Sequence, residues 1–109
     1  MRLSTAILAA TVAVAAVTPA LAAPRISDKQ YIQAARCQGL AKAPALGEAD
    51  TQALDSLVKS QGQGRHPYIR DRADEARQAA GSEARRAGPE GKAVLIAERD
   101  GVCKTIPTA

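Results

Sequence analysis

The stretch Ser27–Lys42, SDKQYIQAARCQGLAK, decides how the rest of the chain is read. Ser27 followed three residues later by Gln30 has the form of a capping box, so a helix is expected to begin here. Tyr31, Ala34, Cys37, Gln38 and Ala41 recur on one side at helical spacing. Ala35 lies beside them, and Ile32 and Leu40 widen the arc. Gly39 either lets another backbone come close or begins the helix end. Pro44 stops the helix near Lys42. The helix carries Cys37, and the only other cysteine, Cys103, lies near the far end of the 109 residues.

What precedes this helix bears on whether those cysteines join. Met1-Arg2 is a short positive start, Leu3–Val17 is an apolar run, and Ala20-Leu21-Ala22 follows Pro19 as a small-x-small cleavage site. Residues 1–22 are therefore expected to be a cleaved secretory signal peptide of bacterial type, and 23–109 a single small domain in the periplasm or secreted. The run is short for a membrane span of ~20 residues, so no stable anchor is expected after cleavage. No cysteine follows the site to take a lipid, and no twin arginine marks a specialised export route. In an oxidising compartment two cysteines most simply form one disulfide, Cys37–Cys103.

Composition makes that bond important. There is no Phe or Trp and there are only two Tyr, and much of the apolar content is alanine. A core of this size contributes only a few kcal/mol. A disulfide closing most of the domain adds roughly 4 kcal/mol by the chain-entropy argument.

Further along, Gly47 is a candidate N-cap for a second helix, with Leu46 as a staple and Glu48 and Asp50 in its first turn. Its stripe is Leu54, Leu57, Val58 and Gln61, with Gln52, Asp55, Ser56 and Lys59 opposite, and Gly62 is a candidate left-handed end. Pro67 suits the first turn of a third helix, whose stripe is Ile69, Ala73, Ala76, Ala80, Ala84 and Ala87. Gly81 either divides that helix or softens it. After Gly88-Pro89, residues 92–106 read as a helix with Leu95, Ile96, Arg99, Val102, Cys103 and Ile106 on one side, running through Gly101. The rival reading is a hairpin turning at Asp100-Gly101. The expected architecture is all-α: a small irregular bundle of three to four helices stapled by one disulfide. The cysteine positions require the last helix to be offset, crossed or not strictly antiparallel to the first, because a disulfide needs α-carbons within ~7 Å.

The chemistry is sparse. His66 is the only histidine, placed at a helix start where capping is its simplest role. No G-x-S-x-G, phosphate-cradling glycine loop, C-x-x-C or C-x-x-C-H is present. No catalytic, cofactor or metal residues are assigned. The candidate binding surface is Arg65, Arg70, Arg72, Arg77, Arg85 and Arg86, interleaved with Asp71, Asp74, Glu75 and Glu83. Net charge is +4, of which Arg2 in the signal supplies one. With only Tyr68 nearby to stack a base, and with export expected, nucleic acid is not the anticipated partner. The expectation is a non-catalytic exported protein that binds another envelope or secreted macromolecule, as an envelope-protein partner or a stress-related, chaperone-like factor. The alternative is a cationic binder of envelope polyanions through the arginines of 65–86, and a third reading has His66 serve an enzyme.

Overall fold

A computed structural model describes residues 25–107. Helices α1 (Asp28–Ala41), α2 (Gln52–Gly62), α3 (Pro67–Arg86) and α4 (Pro89–Asp100) form, with short 3-10 turns at Pro44–Leu46 and Val102–Thr105. No strand occurs among the described residues, so the helical reading of the last segment holds and the hairpin does not. The signal-peptide reading of 1–22 lies outside the described residues.

α1 starts as its sequence dictates. The Gln30 amide donates to Ser27 Oγ (3.1 Å) and the Ser27 amide to Gln30 Oε1 (3.0 Å), a reciprocal capping box. Tyr31, Ala34, Ala35, Cys37, Gln38 and Leu40 are all buried. The lead-in to the helix is anchored, since Ile26 is buried and its amide donates to Gln61 Oε1.

α1 and α3 begin at the same end of the molecule, where Arg65 reaches Asp28, and run side by side in the same sense until Arg77 meets Gln38. α2 runs the opposite way along α1, with Asp55 beside Gln38 and Gln61 beside Ile26. The α1–α3 seam is made of small residues. Ala73, Ala80 and Ala84 are fully buried against α1, and a Cβ on Gly39 would collide with the Arg77 carbonyl and lie 2.9 Å from the Ala80 methyl. Alanine and glycine bring these backbones together at the expense of buried area. The larger side chains Leu40, Leu46, Leu57, Val58, Leu95 and Ile106 fill the remaining core, each contributing about 1.5–3 kcal/mol through burial.

α3 continues unbroken through Gly81 for 20 residues, against 14 in α1. Its last turn lies level with Pro44 and Ala45, past the end of α1, so α4 starts out of step with α1 and folds back along α3. α4 stops at Gly101, where an added Cβ would come within 2.8 Å of the Ala97 carbonyl. The chain tightens there into the 3-10 turn that carries Cys103 to Cys37, with α-carbons 5.6 Å apart. The disulfide is formed as expected, but by breaking the helix rather than by running through Gly101, and the break leaves Val102 exposed instead of on the buried stripe.

Three other local expectations are corrected. Gly47 ends the Pro44–Leu46 turn with φ +84° instead of capping α2, which starts later with Asp50 Oδ1 accepting from the Gln52 amide (3.0 Å). Asp55 faces α1 because its partners, Gln38 and Lys42, are there. The left-handed residue after α2 is Gly64 (φ +74°), while Gly62 is the last helical residue, packed against the Tyr31 hydroxyl.

Candidate functional site

The six arginines split into two groups. Arg65 is removed from the proposed surface, because its side chain is only 3% exposed. It donates to the carbonyls of Gln61 and Ile26 and to Asp28 Oδ1, each at 2.6 Å, and lies over the Tyr31 ring. It sits in the tight turn between α2 and α3, beside the start of α1, with its guanidinium turned inward. Arg77 is half committed: Nε donates to Gln38 Oε1 and Nη1 to Asp74, both at 2.7 Å.

Arg70, Arg72, Arg85 and Arg86 face solvent. Arg72 makes only a 3.8 Å approach to Glu75, and Arg85 Nη2 donates to Ser82 Oγ (3.1 Å). Arg70 and Arg86 are free of side-chain partners among the described residues. Arg85 and Arg86 occupy the last turn of α3, where the negative end of the helix dipole favours them.

Two concavities flank that turn. One lies between α1 and α3 and is lined by Lys42, Ala43, Pro44, Ala45, Arg77, Gln78, Ser82 and Arg85 above Gly39 and Gly81. The other lies between α3 and α4, where Ala79, Ala87, Gly91, Val94 and Leu95 form an apolar strip bordered by Ser82, Glu83 and Arg86. Val94 is 68% exposed there. Neither was legible as a site in the sequence. Lys42 stood as the end of a helix, far in sequence from Arg77, and Val94 carried no signal that separated it from the core.

Polar side chains between the helices hold them to one another. The Gln38 amide joins α1 to α2 and α3, donating to Asp55 Oδ1 (2.5 Å) while accepting from Arg77. Hydrogen bonds from Lys42, then Gln38, hold the Asp55 carboxyl below the usual carboxylate range. Arg36 of α1 meets Glu98 of α4 (2.7 Å) and Glu83 of α3 (2.8 Å), and these bonds, Glu98 first, push its guanidinium further up. His66 caps α3, its Nδ1 accepting from the Tyr68 amide at 3.1 Å. No buried side-chain nitrogen or oxygen among the described residues lacks a partner.

The disulfide points to an oxidising, non-cytoplasmic environment. No helix among the described residues is long and apolar enough to cross a membrane. No protein-family model, curated protein or solved structure matches the chain.

Proposed function

We propose that the protein is an exported, non-catalytic binding domain of the bacterial periplasm or the secreted fraction, whose partner is another envelope or secreted protein, bound as a partner or as a client. The observation that carries this is the α3–α4 groove, where Ala79, Ala87, Gly91 and an exposed Val94 form an apolar strip beside Ser82, Glu83 and Arg86. Such a strip fits an apolar-faced segment of another chain. The disulfide supports the compartment, and the Ala20-Leu21-Ala22 site supports export. The test places a photo-crosslinking residue at Val94 in the oxidised mature protein and, as a control, at exposed Lys59, with each variant incubated in envelope extract. Adducts of discrete mass from position 94 alone are expected; equal labelling from both, or none, removes the reading.

A second reading is favoured by the four exposed arginines of α3, namely that the protein binds an envelope polyanion. It predicts retention on heparin that falls steeply with salt, and elution at low salt with no such slope would remove it.

A further inference from the structure

We propose that the cleft between α1 and α3 is an oxyanion-binding site that takes a phosphate or carboxylate group carried on a saccharide. The proposal deepens the polyanion reading and rests on it for the class of ligand.

Three cationic residues from two helices line this cleft and no carboxylate does: Lys42 comes from the end of α1, Arg77 and Arg85 from α3. The acids that pair with Lys42 and Arg77, which are Asp55 and Asp74, stand outside the lining. Arg77 spends Nε and Nη1 on Gln38 and Asp74, which fixes the plane of its guanidinium and leaves Nη2 to donate. Arg85 is laid back along its own helix: Nη2 donates to Ser82 Oγ, and Nη1 lies 3.5 Å from where a Cβ on Gly81 would stand. Glycine at 81 therefore leaves the floor low beneath the Arg85 guanidinium. Planar guanidinium forks match the oxygens of phosphate and carboxylate.

The rest of the cleft suits the body of a sugar. Ala43, Pro44 and Ala45 make an apolar wall for the C–H face of a ring, and Gln78 and Ser82 supply neutral hydrogen-bonding groups for hydroxyls. The volume is about 410 Å³, within the range of small-molecule sites.

The test is an amide-shift NMR titration of the oxidised mature protein with glucose 1-phosphate, with glucose, and with a heparin oligosaccharide. Saturable shifts at Gly39, Ala43, Ala45, Gly81 and Ser82 are expected with glucose 1-phosphate and not with glucose. The same shifts with the heparin oligosaccharide mark a polymer-borne ligand, and shifts with glucose 1-phosphate alone mark a free one. Arg85→Gln should weaken binding about tenfold, the effect of losing a charge-assisted hydrogen bond. Arg70→Gln, on the same helix but away from the cleft, should change it less than about twofold. Unchanged melting of both variants separates lost binding from lost folding. Non-saturating shifts, or equal effects of the two variants, overturn the proposal. Heparin retention that survives Arg85→Gln would overturn the cleft while leaving a diffuse arginine surface standing.

Discussion

The guanidinium of Arg65 lies 4.7 Å from the centroid of the Tyr31 ring, so one of the arginines that looks most like a binding residue is instead part of the core. It joins the start of α1, the end of α2 and the approach to α3 through Asp28, Gln61 and Ile26. Arg65→Met preserves much of the volume but removes the guanidinium donors to the Gln61 and Ile26 carbonyls. We expect a loss of about 3 kcal/mol in urea denaturation. Arg65→Lys should rescue little, because an ammonium cannot serve three acceptors and the ring in one geometry. A methionine variant as stable as the parent would show the network to be ornamental.

Two glycines should respond in opposite directions. Gly39→Ala drives a methyl into the Arg77 carbonyl and the Ala80 side chain, across the closest seam of the bundle. Overpacking of this kind costs about 1–3 kcal/mol, and here the obstacle is backbone that cannot rotate away. Gly81→Ala meets only the end of the flexible Arg85 side chain and should stabilise by about 1 kcal/mol through helix propensity. Thermal melts of the two variants against the parent decide the matter, and a stabilising Gly39→Ala would contradict the packing described.

Asp55 gives the protein an acid limb. Its folded carboxyl is held low by Lys42 and then Gln38. A depressed carboxyl stabilises the fold above its ordinary unfolded pKa, near 3.8, and that contribution is lost as pH falls through the lower folded value. Asp55→Asn should therefore flatten the decline in stability below about pH 4, measured as the denaturation midpoint against pH. It should not abolish the decline, since Asp100 is also held low, by Arg99. An unaltered slope would mean that the Gln38–Asp55–Lys42 arrangement does not govern acid sensitivity.

Cys37 and Cys103 enclose a sequence separation of 66 residues. Replacing both with serine should cost roughly 4 kcal/mol. Hydrogen exchange should show α4 and the Val102–Thr105 turn opening first, because that turn is short and the disulfide is its covalent tie to α1. Alkylation of the denatured, unreduced parent should add no mass. Two alkylated thiols would contradict the bond.

α1, α3 and α4 were legible in the sequence because each begins on strong local chemistry: Ser27 with Gln30, Pro67, Gly88-Pro89. The alanine stripe of α3 was legible for the same reason, since its period alone specifies the buried side. Gly47, Gly62 and Gly101 were harder, because what a glycine does depends on what approaches it. The Ala97 carbonyl and the Tyr31 hydroxyl that crowd Gly101 and Gly62 cannot be seen from composition. The apolar stripe of α2 puts Asp55 on the opposite side and the arginine run puts Arg65 on a binding surface, yet both turn toward partners supplied by other helices. The α1–α3 cleft was hidden for a related reason: Lys42 belongs to one helix and Arg77 and Arg85 to another, and only their packing makes them neighbours.

The covalent link between Cys37 and Cys103 also governs what a protease could accomplish. The exposed joints at Gly47–Asp50, Gln63–Gly64 and Gly88-Pro89 all fall inside the closed loop. A cut at any of them yields two peptides that stay tethered, one water heavier in total and still able to pack. Such a nicked species would migrate as a single chain without reductant and separate into two with it. The molecule can thus be cleaved without being dismantled.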